Sequence, residues 1–250
     1  MPAMNEHVSY DVFARFYDEL MGDVDYRGRA GYLDRLIRQY KPDARLLVDL
    51  ACGTGQLTVE LAALNYDATG VDSSDEMLSR ARERSDSSIL WLNQRLEELD
   101  MYGTVDAFVC TLDSLNHLDD SETLLLALSR VSLFLEPDGV FVFDMNTPYK
   151  HEKILGDNAF VYETENVMCV WRNEYVGDGR VDIALDFFEP QADGSYQRYC
   201  EDFSETAYSL DETLELLRQA GLKLLAVYDD MTFQPPREDS QRLVFVAAKL

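Results

Sequence analysis

The chain alternates short apolar runs with longer stretches in which apolar residues recur every three or four positions. Five apolar runs, such as "ARLLVDL", predict strands, and the periodic stretches between them predict helices. The predicted strands lie at 44–50, 67–72, 88–94, 105–111 and 140–146. The helices between them lie at 56–65, 73–85 and 121–135. Strands that alternate with helices in this way predict a parallel sheet covered on both faces, an α/β fold.

Two further segments depart from this alternation. Residues 1–40 predict a helical cover, because Tyr10, Phe16 and Tyr17 recur at helical spacing on one face. Residues 158–208 are β-like and contain the hairpin signals "GDG" and "ADG", so they predict a small inserted antiparallel β lid. Its aromatic residues, among them Trp171 and Phe187, form either a partly apolar substrate wall, the core of the lid, or a dimer contact.

After the lid, the sequence again shows the alternation of helix and strand patterns. "SLDETLELLRQAG" predicts a helix over 209–221 with a capping box of Ser209 and Glu212, and Ser73 with Glu76 has the same spacing. "LKLLAVYDD" and "RLVFVAAKL" predict two closing strands.

The net charge of −25 disfavours nucleic-acid partners, because a nucleic-acid binder normally carries a basic patch. The four cysteines have no zinc-site spacing, so no metal site is predicted. We find no apolar run long enough for a membrane span and no secretory signal pattern. These features predict a cytoplasmic protein.

The turn "VDLACGTG" follows the first strand, and Asp49 precedes its glycines. A nicotinamide fingerprint needs a third glycine, and Thr58 stands there instead. Asp49 would also repel a pyrophosphate, whereas it suits a cationic ligand.

The blocks "VDLACGTG", "GVDSSDEML" and "EPDGVFVFD" resemble the class I S-adenosylmethionine-dependent methyltransferases. "TLDSLNHL" and "ETAYSLDETLELLRQAGL" are similar to the bacterial small-molecule type with an inserted β lid. The resemblance implies one methyltransferase domain over 1–250. It also implies a Rossmann-like seven-stranded sheet, mostly parallel with an antiparallel terminal strand, next to the antiparallel β insertion.

The resemblance also implies S-adenosylmethionine as cofactor. Asp49 would orient its aminoacyl end, and Asp72 would accept hydrogen bonds from its ribose hydroxyls. Arg95 stands where the family often places an acidic residue for adenine, so either Glu97 or backbone near Leu96 would replace it. The expected cofactor-binding residues are Tyr17, Asp49, Ala51, Cys52, Gly53, Gly55, Asp72, Ser73, Met77, Leu96, Thr111 and Asp113.

No catalytic residue is assigned from the sequence, since methyl transfer to a basic nucleophile needs positioning more than acid–base groups. Asp113, Asn116, His117 and Tyr17 are candidates, and His117 could accept a proton from an amine or hydroxyl.

The leading hypothesis is methyl transfer to a nitrogen or oxygen nucleophile of a small molecule by in-line displacement. A non-catalytic cofactor-binding module is the alternative. An NAD-dependent oxidoreductase or an RNA methyltransferase ranks lower. A homodimer is possible.

Overall fold

The computed structural model describes residues 11–85, 88–118 and 120–250. The first ten residues, including Tyr10, lie outside the described part. Six helices of the described chain are α1 (Asp11–Leu20), α2 (Tyr26–Tyr40), α3 (Gln56–Ala63), α4 (Asp75–Arg84), α5 (Ser121–Phe134) and α6 (Leu210–Gln219). A short 3₁₀ helix spans Ser114–His117, and a π-helical segment spans Lys150–Leu155.

Seven strands form the main sheet in the order β10-β11-β5-β4-β1-β2-β3. They are β1 (Leu46–Leu50), β2 (Asp67–Asp72), β3 (Leu90–Asn93), β4 (Val105–Cys110), β5 (Leu135–Asn146), β10 (Leu222–Asp229) and β11 (Arg242–Lys249). β11 runs antiparallel to both neighbours, and the other ladders are parallel. The predicted α/β sheet with its antiparallel terminal strand is confirmed. Strand order reverses beside β1, so the crevice lies at the carboxyl ends of β1 and β4.

Each face of the sheet carries its own apolar core, because successive strand residues point to opposite faces. Val48, Phe108 and Phe143 pack with Leu128 of α5 on one side. On the other side, the cluster is built on α2, α3 and the opposite positions of the same strands. It contains Leu33, Leu36, Ile37, Leu57, Leu61, Leu47, Val109 and Val142.

The insertion is a separate four-stranded antiparallel sheet in the order β6-β7-β8-β9. Its strands are β6 (Ala159–Glu163), β7 (Met168–Gly177), β8 (Arg180–Pro190) and β9 (Tyr196–Thr206). The first β-like stretch of the sequence therefore divides into two strands. Phe187 is buried in the core of this sheet, where its ring stacks on Phe16 of α1 at 5.7 Å between centroids.

The sequence predicts capping boxes at two helices, and the structure has one of them. Ser209 and Glu212 form the predicted capping box of α6. At α4 the prediction from Ser73 and Glu76 is wrong, because Ser74 is the N-cap and its side chain accepts from the Met77 N–H. β5 also begins at Leu135, before the predicted 140, and its register with β4 shifts between Val105 and Ala107.

In the described part of the chain, none of the helices combines the length and apolar character needed to cross a bilayer. The cytoplasmic location and the homodimer stay predictions.

Gly55 is required by the turn that follows β1. Its φ is +76°, and an added Cβ would lie 2.4 Å from the Trp91 ring and 2.9 Å from the Ala81 Cβ. The side of Gly55 that a side chain would occupy therefore faces packed side chains, so this glycine serves the close packing of the turn on β3 and α4.

We expect Gly55→Ala to lower the free energy of unfolding by about 2–4 kcal/mol, from left-handed strain plus overpacking. Urea unfolding followed by Trp fluorescence measures this loss. Gly103→Ala is the matched control, because no atom lies within 4 Å of its added Cβ. Equal stability of both variants would contradict the packing role of Gly55.

Candidate active site

A cleft of about 1680 Å³ lies between the carboxyl ends of the sheet strands and the β insertion. The predicted residues that line it are Tyr17, Ala51, Gly53, Asp72, Ser73, Met77, Leu96, Asp113 and His117. Asp49, Cys52 and Thr111 instead line a small cavity of about 30 Å³ that also contacts Tyr17 and Ala51. The fold thus brings these distant segments together at one edge of the sheet.

The turn after β1 is shaped around the Asp72 carboxylate. One oxygen accepts from the Gly53 N–H at 2.8 Å and the other from the Ser74 N–H at 2.9 Å. Ala51 and Gly53 both have φ of +54°, which bends the backbone sharply here. Burial raises the pKa of Asp72, although these N–H groups oppose the shift. Each carboxylate oxygen has further lone pairs with which to accept a hydroxyl.

Asp49 is buried beneath the same turn and is 2 % exposed. Its carboxylate accepts a hydrogen bond from the Thr58 hydroxyl at 2.6 Å. Burial raises the pKa of Asp49 to about 7, and the Asp72 charge adds to this increase while Thr58 opposes it. A cation in the adjoining cavity would favour the ionised carboxylate.

Helix α1 covers the glycine turn through Tyr17 and Asp18. The Tyr17 ring lies 3.9 Å from the Cβ position of Gly53, and its hydroxyl is hydrogen-bonded to Tyr26. Burial raises the pKa of Tyr17 well above its usual value, so the phenol stays protonated. Asp18 accepts from Thr54 Oγ1 at 2.6 Å and Gln56 Nε2 at 2.9 Å and pairs with Arg84.

The loop after β4 is held in an unusual conformation by Asp144 at the end of β5. Leu112 and Asp113 have φ of +60° and +58°. Their N–H groups donate to Asp144 at 3.0 and 2.8 Å, and Arg29 donates to the same carboxylate at 3.1 Å. These buried contacts compensate a backbone strain that costs about 1–3 kcal/mol per residue.

Asp113 itself is fixed by Arg242, whose guanidinium donates at 2.6 Å, and by the Asn146 amide at 2.6 Å. Burial would raise the pKa of Asp113, but Arg242, Lys150 and His117 outweigh it and hold this pKa well below its usual value. Asp113 is therefore an anion at any ordinary pH.

The two other candidates of this loop have different surroundings. Asn116 is fully buried, accepts from the Asn146 N–H at 2.9 Å and donates to the Thr206 carbonyl at 2.9 Å. It ties the loop to β5 and to the end of β9, which is a structural position. His117 reaches the cleft, and its ring lies 5.1 Å from that of Phe203.

Sequence reasoning missed Asp144, Arg29, Arg242 and Glu205. Asp144 had a usable signal, because it lies near the carboxyl end of an apolar parallel strand as Asp49 does. Arg29, Arg242 and Glu205 had none, because their hydrogen-bond partners lie 115, 129 and 59 residues away in the chain.

The far end of the cleft contains Leu96 with Arg95 and Glu97. Arg95 Nε lies 2.5 Å from Glu97 Oε1, so the basic residue that departs from the family pattern is paired with its acidic neighbour. Met77 of α4 is buried and lines the cleft beside these residues.

These donors and acceptors fit S-adenosylmethionine. Asp49 suits its ammonium group, Asp72 its ribose hydroxyls, and Met77 with Leu96 the faces of its adenine. The Asp49 carboxylate beneath the turn would repel a pyrophosphate, which argues against a dinucleotide in this crevice.

Comparisons with known proteins agree with this geometry. A family described as methyltransferase domain matches residues 47–139. A crystal structure of an S-adenosylmethionine-dependent methyltransferase from Clostridium acetobutylicum ATCC 824 superposes with a TM-score of 0.86 at 30% identity, covering 96% of this chain and 98% of that one. A protein of Geobacillus sp. (strain WCH70) named as a methyltransferase is 31% identical over 97% of this chain and 100% of its own length.

The similarity extends to relatives with named acceptors, which include aminosugars and glycine or sarcosine. A dTDP-3-amino-3,6-dideoxy-alpha-D-glucopyranose N,N-dimethyltransferase of Streptomyces fradiae is 32% identical over 48% of this chain and 47% of its own length.

The chain belongs to the class I S-adenosylmethionine-dependent methyltransferases, and S-adenosylmethionine is its cofactor. The expected family, fold and cofactor are thereby confirmed.

We expect Asp72→Ala to weaken S-adenosylmethionine binding by about 1.5–3 kcal/mol, since hydrogen bonds to a charged group are lost. Isothermal titration calorimetry measures the change. Asp67→Ala is the matched control, because Asp67 is exposed at the opposite end of the same strand. Unchanged affinity in folded Asp72→Ala would reject the ribose role.

Cofactor affinity should rise with pH through the titration of Asp49. The protonated carboxyl of Asp49 must lose its proton before it can pair with an ammonium group, and its pKa is about 7. The dissociation constant should therefore increase about tenfold from about pH 8 to about pH 6. Asp49→Asn should bind more weakly and lose this difference between the two pH values. A wild-type affinity that is equal at both would contradict the assignment.

Proposed function

We propose that the protein transfers the methyl group of S-adenosylmethionine to a nitrogen or oxygen atom of a small molecule. The observation that supports this most is the continuity of the cleft. It runs from the glycine turn, past His117, to the inner face of the β insertion, so a donor and a small acceptor can occupy one continuous cleft.

The insertion presents an apolar wall to this cleft. The strand register places Phe160 beside Trp171 and Trp171 beside Leu185, so these side chains share one face. The Phe160 and Trp171 rings meet edge to face at 6.0 Å between centroids. An apolar wall excludes water from the reacting atoms and strengthens every electrostatic contact there.

When bound, S-adenosylmethionine supplies an electrophilic methyl carbon on a sulfonium. The acceptor lone pair forms the new bond to this carbon as the carbon–sulfur bond breaks, and the bonding electron pair returns to sulfur. The protein's part is to hold the acceptor in line at about 3–3.5 Å and to remove its proton. His117 can take that proton, whereas Tyr17, with its raised pKa, acts only as a hydrogen-bond donor or apolar cover.

The rival functions fit less well. An RNA acceptor would need basic surface, and the chain carries 47 acidic against 22 basic residues. A non-catalytic module would not need a second, acceptor-sized compartment beside the donor. Among relatives, the partial match to an aminosugar N,N-dimethyltransferase supports a small-molecule nitrogen acceptor. A cytoplasmic location is consistent with a metabolite substrate.

We expect the protein, incubated with methyl-labelled S-adenosylmethionine and a filtered metabolite extract, to produce a labelled small molecule of increased mass. Asp72→Ala should reduce the yield of that product at limiting cofactor, whereas Asp67→Ala should not. Mass spectrometry of the extract identifies the acceptor. Label that appears only in added RNA would support the nucleic-acid alternative, and cofactor binding without any transfer would support the non-catalytic one.

A further inference from the structure

A buried acidic residue of the insertion meets the candidate proton acceptor. Glu205 lies one residue before the end of β9, lines the cleft and is only 4 % exposed. Its carboxylate faces three polar side chains, namely Asn146, His117 and His151. A buried carboxylate needs such partners, because its desolvation is otherwise costly.

One oxygen of Glu205, Oε2, lies next to Asn146 and His151. Asn146 Nδ2 donates to Oε2 at 3.2 Å, and His151 Nε2 lies 3.4 Å from the same oxygen. The His151 ring is fully buried, and its Nδ1 lies 2.7 Å from the Gly179 carbonyl oxygen. The Nδ1 proton of His151 is used by the Gly179 carbonyl, and His151 Nε2 makes no hydrogen bond among the described residues, so Asn146 is the donor that orients the carboxylate. Glu205 Oε1 then lies 3.5 Å from His117 Nε2.

Glu205 is the carboxylate that lies within ion-pair distance of the His117 ring in the described part of the chain, at 3.5 Å. Asp113 of the same loop is already engaged by Arg242 at 2.6 Å and Lys150 at 3.7 Å. His151, on the π-helical segment, lies on the other side of Glu205. On the ring's remaining side the Phe203 ring packs against it without charge.

We propose that Glu205 is a positioning residue, which holds the His117 ring at the cleft and stabilises the imidazolium that forms when His117 takes the acceptor's proton. This inference rests on the proposed function. In the step, one proton leaves the acceptor nitrogen or oxygen and binds the imidazole, while the acceptor lone pair attacks the methyl carbon. The arrangement follows the general pattern of a base oriented by a third group.

The test is the NMR titration of the histidine rings in the full chain with S-adenosylhomocysteine present. The chain has only three histidines, so His117→Asn and His151→Asn assign the signals. In Glu205→Gln, the pH at which His117 is half protonated should fall by about one unit, a tenfold smaller ratio of imidazolium to imidazole, because a nearby opposite charge is removed.

Glu201→Gln is the matched control. Glu201 is the same residue type on the same strand and face, and is 7 % exposed. Glu201→Gln should not change the pH at which His117 is half protonated. If Glu205→Gln titrates like the wild type, or if Glu201→Gln shifts His117 equally, the proposal is overturned.

Two further measurements keep the outcome clear. If Glu205→Gln does not fold, Glu205→Asp keeps the charge but withdraws it by one methylene, and the His117 titration should then fall by a smaller amount. An unchanged titration in folded Glu205→Asp would also count against the proposal. Calorimetry with S-adenosylmethionine on the same samples tests the proposed function separately. If the wild type does not bind the cofactor, the proposed function is contradicted, whereas the measured effect of Glu205 on the His117 titration still stands.

Discussion

The site depends on the burial of carboxylates at the ends of parallel strands. Asp49, Asp72 and Asp144 each lie at or near the carboxyl end of a strand, so the chain must provide hydrogen-bond donors where water is excluded. The turn after β1 and the loop after β4 fold around these acceptors, which explains their left-handed residues. The same surplus of negative charge favours a positively charged donor over a phosphate.

The sequence was sufficient for features that depend on local pattern. The doubly covered strands, the lid hairpins and the α6 capping box follow from spacing alone. Asn116 and Gly55 show the limit, because a polar loop residue and a turn glycine have the same sequence signal whether they contact a ligand or pack internally. The pairing of Arg242 with Asp113 joins positions 129 residues apart, and only the tertiary fold brings them together.

The cofactor region and the acceptor wall are built from different parts of the chain but share their supports. Asn146 ends the fifth strand and touches Asp113, Asn116 and Glu205, which belong to the loop and to the insertion. These contacts connect the insertion to the loop beside the cleft through one residue.

Helix α1 contacts both halves of the cleft. Asp18 is bound to the glycine turn, while Arg15 pairs with Glu189 at 2.5 Å and Phe16 stacks on Phe187 in the insertion. Helix α1 therefore packs on the glycine turn and on the insertion at the same time. Movement of this helix would therefore change the contacts of the glycine turn and of the insertion together.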